Sequence, residues 1–400
     1  MRVFEGESDS DEARWIVEEA QALNRDGTPF SQMAVLYRSN AQSRVLEHSL
    51  FSRGISYRVY GGLRFFERAE IKHALAYLRL VALPEDDNAF IRVANFPPRG
   101  IGARTMEQLQ DAAKQAGKSL FAVAAGSKAA TFRALIETLR NETQGLPLHE
   151  LVEHVVAKSG LKEHYKTERE GADRIENLEE LVNAAAAFTE EEREVESGEV
   201  ADPLTGFLTH AALEAGEHQA GEGADALQLM TVHSAKGLEF DVVFMSGLEE
   251  GLFPSERSVT ERDGLEEERR LAYVAITRAR NRLYLSHAQT RMLHGMTRYA
   301  MASRFLEEIP QALMKWLTPR FQKQKAFTPD FSRQTRTTLQ NKAPRDVGGF
   351  RIGQNVVHAK FGSGVIIDAE GQGGDARVQV NFGSHGVKWL AVAMANLKAA

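Results

Sequence analysis

Two largely apolar runs, residues 227–232 (LQLMTV) and 241–245 (DVVFM), flank a polar loop at 233–239, and a third run follows at 283–286. Short, β-branched and nearly continuous runs predict strands buried on both faces. Between the second and third runs lies a predicted helix, with Leu271, Val274 and Ala275 inward and Arg269, Arg270, Arg278, Arg280 and Arg282 around it. The first part of the chain alternates in the same way. Ala13, Ile16, Val17, Ala20 and Leu23 form one stripe of a helix over 9–24, with Asp9 to Asp11 as capping candidates. A strand over 33–37 follows, then a helix through Val45, Leu46 and Leu50 that stops at Gly54. Ile55, Tyr57 and Val59 alternate as in a half-exposed strand, and Ile71, Ala74, Leu75 and Leu78 mark a helix ending by Pro84. Helices alternating with strands predict an α/β fold, a parallel sheet with helices on both faces.

From Phe90 to about Ala226 the pattern is helical only, an all-helical insertion (89–226) between sheet segments 1–88 and 227–312. Residues 190–199 read as a solvated loop or frayed helix end. Residues 313–349 read as a basic linker: 318–349 hold 7 basic and 2 acidic side chains and three prolines. From Phe350 to Ala400, short β-rich pieces between glycine-rich turns suggest a small β-barrel, with Phe361, Phe382 and Trp389 as core.

Composition changes this picture in one respect. The net charge of −6 does not mark a nucleic-acid binder, but the charge is segregated. Residues 161–226 hold 18 acidic and 5 basic side chains, so the rest of the chain carries +7, enough for a local phosphate-binding surface. The absence of cysteine excludes disulfides and thiolate metal sites and fits a reducing cytoplasm. No apolar run reaches the roughly 18 residues of a membrane span.

Chemistry concentrates in three places. The 233–239 loop carries Ser234, Lys236, Gly237 and Glu239, and Arg278 stands near the end of the following helix, a fixed charge suited to a phosphate. Such residues also make ordinary turns and solvated helix faces, and spacing alone leaves both open. Arg38 and Asn40 lie just past a strand end, where open α/β sheets hold ligands. Gly100, Ile101 and Gly102 form a turn entering a helix, either a plain connection or a seat for one phosphate.

The wording of these stretches goes further. TVHSAKGLEF (231–240) and EEERRLAYVAITRAR (266–280) resemble motifs V and VI of superfamily 1 DNA helicases of the UvrD/PcrA/Rep group. AVLYRSNAQSR and YGGLRFFERAEIKHALAYLRL resemble the portion between motifs IV and V, SRFLEEIP the close of the second RecA-like domain, and the tail a Tudor-like (SH3-type) domain. The resemblance covers essentially the whole chain but only the carboxyl-terminal part of that architecture.

It implies a second RecA-like domain that completes an ATP site, grips single-stranded DNA and moves when the γ-phosphate leaves. Arg278 would reach the γ-phosphate, Glu239 would accept from the ribose hydroxyl, and Gly237 would leave room for close approach. Arg38, Asn40, Thr231 and His233 would face the DNA strand. Gly100, Ile101 and Gly102 would hold duplex DNA, as in the family's inserted 2B subdomain. His294 stands where relatives have an aromatic ring stacked on a base, and imidazole should stack less well. Implied cofactors are ATP and Mg²⁺, and implied partners are single-stranded and duplex DNA, with RNA polymerase or repair proteins docking on the barrel.

No GxxxxGK[ST] loop occurs in the chain: Gly117-Lys118-Ser119 imitates its end, but Ala112 stands where the first glycine belongs. The metal ligands and the first RecA-like domain are therefore expected to come from elsewhere, and this chain alone is expected to hydrolyse nothing. The parent activity implied is ATP-dependent 3′-to-5′ unwinding in DNA repair or replication, in the bacterial cytoplasm at the nucleoid. The rival reading is a non-catalytic DNA-binding and docking module. A helicase–nuclease subunit fits less well, because a small barrel follows motif VI where a nuclease domain would stand.

Overall fold

In the computed structural model, residues 1–194, 202–216, 224–293, 295–318 and the strands of the carboxyl-terminal region are described. The chain forms two compact units, Met1–Phe321 and Gln322–Ala400.

The first unit is built on a sheet of β1 (Arg2–Ser8), β2 (Met33–Tyr37), β3 (Tyr57–Val59), β4 (Leu227–Thr231), β5 (Phe240–Met245), β6 (Ala279–Leu293), β7 (Met296–Tyr299) and β8 (Lys315–Trp316). The order is β3-β4-β2-β5-β6-β1-β8, every pair parallel, and β7 folds back antiparallel on β6. All five residues of β2 are buried, which explains their unbroken apolar run.

Helices α1 (Asp9–Arg25) and α2 (Ser43–Ser52) cover one face, packing Ile16, Val17 and Leu50 against Val35 and Phe244. The insertion begins to gather on α3 (Ala69–Ala82), whose Tyr77, Leu78 and Leu80 pack with the helices that follow. These are α4 (Asp87–Val93), α5 (Ala103–Ala116), α6 (Leu120–Val123), α7 (Ala130–Glu142), α8 (Leu148–Lys158), α9 (Leu161–Tyr165), α10 (Gly171–Glu194) and α11 (Pro203–Gly216). On the sheet's other face, α12 (Glu256–Thr260), α13 (Gly264–Ile276) and α14 (Arg304–Glu308) follow, with Ala272, Ala275, Phe305 and Leu306 in its core.

Four local expectations change. Ser8, not an aspartate, caps α1, its hydroxyl accepting from the Asp11 N–H at 3.1 Å. β1 goes unannounced in the sequence because Val3 is its one buried apolar side chain, Gly6 being the other buried residue, in a strand that is otherwise mostly polar. β6 runs to fifteen residues, well past the apolar 283–286, because both β1 and β7 pair with its continuation. Lys315 and Trp316, at the start of the basic segment, add the edge strand beside β1. Gly117, with φ +61, terminates α5, so the Gly-Lys-Ser turn is a helix cap.

The second unit contains β9 (Asn355–His358), β10 (Gly362–Glu370), β11 (Arg377–Asn381), β12 (Val387–Ala391) and β13 (Lys398–Ala399), an antiparallel sheet in the order β12-β11-β10-β9-β13. Val356, Ile366, Val378 and Val380 are buried. Phe361, Phe382 and the Trp389 side chain lie outside the described residues.

Candidate functional site

The parallel strands decide where the candidate residues fall. Tyr37 of β2 lies opposite Thr231 of β4, so residues 38–42 and 232–239 leave the carboxyl edge side by side. β5 and β6 start at the other edge, with Phe240 opposite Ala279. Gly237, Glu239 and Arg278 immediately precede them there. Residues 232–239 therefore cross from one edge to the other, with Val232 and Ala235 buried in the core below. The candidates form two groups on opposite edges of one sheet.

At the amino edge, the Arg278 guanidinium is laid along its own lobe. It donates to the carbonyls of Val274 and Leu238 and to the Thr277 hydroxyl, each at 3.0 Å. The Phe240 N–H donates to the Arg278 carbonyl at 3.0 Å, so main chain and side chain tie the helix end to the 232–239 segment. A guanidinium has five N–H donors, and three are used here. Gly237 has φ +87, and among the described residues nothing lies within 4 Å of where a Cβ would stand, so conformation rather than crowding calls for glycine. Glu239 is exposed. Asp241 is engaged by Arg280 at 3.1 Å and by the Asn281 amide at 3.0 Å.

At the carboxyl edge, Arg38, Asn40, Thr231 and His233 line a cleft of about 1000 Å³ whose far wall comes from α10 of the insertion, including Glu176 and Glu180. Arg38 is not free in it: its guanidinium grips Glu268 of α13. Asn40 is exposed, and its carbonyl accepts from Arg68 at 3.0 Å. The Thr231 hydroxyl lies 3.0 Å from that of Ser234 and accepts from the Ser234 N–H, which folds the start of the crossing segment. Partial desolvation at the cleft wall, and then the Arg38 charge, hold the imidazole of His233, a residue still exposed on one side, below its usual pKa, favouring the neutral ring. His294 lies outside the described residues; its neighbour Gly295 donates its N–H to Asn183 of α10 at 3.1 Å.

The Gly100–Gly102 turn stands apart from both groups, in the helical insertion. Gly100 takes φ +75 and Gly102 caps α5. The Ile101 side chain is buried, and its N–H donates to Asn95 Oδ1 at 3.0 Å. Ile101 therefore offers no donor to a phosphate. Thr105 and Met106 already donate their N–H groups to the Gly102 carbonyl, at 3.0 and 3.1 Å, so the groups left for a phosphate are the N–H groups of Ala103 and Arg104 at the start of α5.

Two organising residues escaped the sequence reading. Asn95 accepts from both the Arg99 and Ile101 N–H groups and so shapes the turn. Glu268 sits in an acidic run that looks solvated, yet its spacing from Ala272 and Ala275 puts it on the buried face of α13, where it is 1% exposed. That spacing was the available signal.

Comparison with known proteins adds the following. The family model for the UvrD-like helicase C-terminal domain matches residues 1–290, and that for the PcrA/UvrD tudor domain matches 352–398. DNA helicase II of Salmonella typhimurium is 46% identical, over 97% of this chain and 54% of its own length. DNA helicase II of Escherichia coli is 45% identical with the same coverage, and the ATP-dependent DNA helicase PcrA of Bacillus subtilis is 37% identical, over 99% of this chain and 56% of its own. The chain thus spans about half the length of the curated relatives it matches.

Proposed function

Since the chain belongs to the UvrD-like helicase C-terminal family, we propose that it forms the nucleotide-responsive, DNA-gripping part of an ATP-dependent 3′-to-5′ DNA helicase acting in repair or replication. In this reading residues 1–88 and 227–312 make the second RecA-like lobe, 89–226 the inserted subdomain, and the two sheet edges have separate tasks. One observation carries it: residues 232–239 join the edge bearing Thr231 and His233 to the edge bearing Gly237, Glu239 and Arg278. A shift at one edge is passed to the other through a short, core-anchored segment.

ATP, when bound, supplies the free energy through phosphoryl transfer. The amino edge fits its phosphates: Arg278 is permanently charged and keeps two N–H donors beyond those it uses. Arg278 would hold the γ-phosphate and counter charge that develops on it. Glu239, exposed beside it, would accept from the ribose hydroxyl. The carboxylates at this edge do not make a Mg²⁺ site, because Asp241 is already occupied by Arg280 and Asn281. At the other edge Asn40, Thr231 and His233 would meet the strand, His233 as a neutral ring able to stack or accept. Arg38 would join them on leaving Glu268. His294 would add a flat but small ring. Gly100, Gly102 and the first turn of α5 would seat a duplex phosphate. The tudor-matched unit would dock RNA polymerase or a repair protein, and the work would be done in the cytoplasm on nucleoid DNA.

The test is Arg278→Ala in the whole protein. Turnover should fall by about 10³-fold or more while single-strand affinity is unchanged. Turnover at a tenth of normal or better refutes the assignment.

A further inference from the structure

Away from both edges, two imidazoles and a carboxylate converge where α2 of the sheet lobe meets α10 and α11 of the insertion. His48 Nδ1 lies 2.6 Å from Glu214 Oε1, and His210 Nε2 lies 3.0 Å from the same oxygen. All three donor atoms lie within 4.8 Å of one another. His210 and Glu214 are one turn apart on α11, so their side chains share a face. The other nitrogen of His48, Nε2, is 3.2 Å from Glu191 of α10. A cavity of about 10 Å³ adjoins the group, close to the room that one water or ion needs, with Phe66, Phe188 and Phe207 among its walls. Of the guanidinium groups at hand, Arg44, which lines the cavity, is committed to Glu180, and Arg64 to Glu67 and to the carbonyls of Glu214 and Ala215.

We propose that His48 Nδ1, His210 Nε2 and Glu214 Oε1 form a site for one divalent transition metal of the zinc type, joining the insertion to the sheet lobe. Two imidazole nitrogens and one carboxylate, with a fourth position left for water, are a donor set that suits zinc and does not suit Mg²⁺ or Ca²⁺, which take oxygen ligands. Ligand atoms about 2.0–2.2 Å from a tetrahedral ion stand about 3.3 Å apart. The separations of 2.6 and 3.0 Å therefore need to open by about 0.7 and about 0.3 Å, and the two imidazole nitrogens, within 4.8 Å of each other, need to settle at the same spacing. Glu191 is a positioning residue. It accepts from the His48 Nε2–H and turns Nδ1 toward the ion, the carboxylate–histidine–metal arrangement that fixes ring orientation.

The experiment uses the 400-residue chain stripped with chelator and titrated with Co²⁺, then with Zn²⁺ in competition. One equivalent of Co²⁺ should bind with the visible d–d bands of a low-coordinate site, and Zn²⁺ should displace it. His48→Gln and His210→Gln should each weaken binding by about tenfold or more, and Glu191→Gln by less. Should a variant fail to fold, the unaltered chain decides alone: Zn²⁺ should protect His48 and His210, but not His149 or His154, from diethylpyrocarbonate. Absence of stoichiometric binding, equal binding by the folded histidine variants, or no selective protection overturns the proposal.

Discussion

Arg38 and Glu268, 230 positions apart, meet in a two-pronged ion pair: Nε stands 3.0 Å from one carboxylate oxygen and a terminal nitrogen 2.7 Å from the other. The carboxylate is buried while the guanidinium side chain keeps 20% exposure to the cleft. Burial alone would raise the pKa of Glu268, but bonds from Arg38 and the Ser255 N–H outweigh it and hold the group below the usual carboxylate range. Glu268 thus competes with any phosphate for Arg38. Glu268→Gln should lower stability, at the low end of the ~3–5 kcal/mol typical of broken buried pairs because Arg38 can reach water. It should also tighten single-strand binding at low salt, since one more cation is released to the cleft. Urea unfolding and a salt-dependent binding titration read the two effects. Weaker DNA binding by a stable variant would show that Arg38 is purely structural.

The amino edge offers a cleaner backbone test at Gly237. No atom of the described residues obstructs an added methyl group there, so Gly237→Ala should cost only the left-handed conformation, about 1–2 kcal/mol. If the turn relaxes to relieve that strain, the Leu238 carbonyl leaves Arg278. In the whole protein, ATP affinity should then fall with DNA affinity unchanged. Thermal unfolding checks the first statement and nucleotide titration the second; a variant of unaltered melting temperature removes the conformational argument.

Asn95 is the corresponding test for the turn in the insertion. Its side-chain oxygen satisfies two backbone N–H groups, so Asn95→Ala leaves the buried Ile101 donor unpaired and should cost about 1–3 kcal/mol. Duplex binding should weaken while single-strand binding holds, because the cleft lined by Arg38 and His233 is elsewhere. A gel-shift comparison of duplex and single-stranded DNA distinguishes the two, and equal losses on both would remove the turn from the duplex assignment.

How much of this was legible follows from what each signal encodes. Periodicity located β2, and very nearly α1, β4 and β5, because those elements face apolar surroundings along their length. It failed for β1, whose place is fixed by main-chain pairing with β6 rather than by side-chain burial. It also could not show that α3 would pack with the insertion, since an apolar stripe does not name its partner. Motif wording identified Arg278, but not that its guanidinium would lie on the Leu238 carbonyl. The group that half-buried Arg291 makes with the buried Glu12 and Glu249 was likewise invisible, because charge in sequence looks solvated until the fold encloses it.

Acid sensitivity should arise at His73 on α3. Its ring stacks on Phe96 with centroids 3.9 Å apart, and Nδ1 lies 3.0 Å from the Tyr165 hydroxyl. Burial, followed by the charges of Arg92, Arg174 and His164, pushes its pKa down to about 4 from the ordinary 6.5. The folded state thus favours the neutral ring. Above pH 6.5 both folded and unfolded chains carry it neutral, and its full contribution to stability is present. As pH falls from 6.5 to about 4, the unfolded chain takes up a proton that the folded chain refuses, and stability declines. Below that window both states are protonated and the loss from this group stops. Other groups titrate in the same range, so the informative quantity is the difference between the unaltered chain and His73→Gln, which keeps a partner for Tyr165 without an ionisable ring. The urea midpoint of the variant should depend less steeply on pH between 7 and 5. Parallel pH profiles for the two proteins would mean that this ring already titrates normally in the folded state.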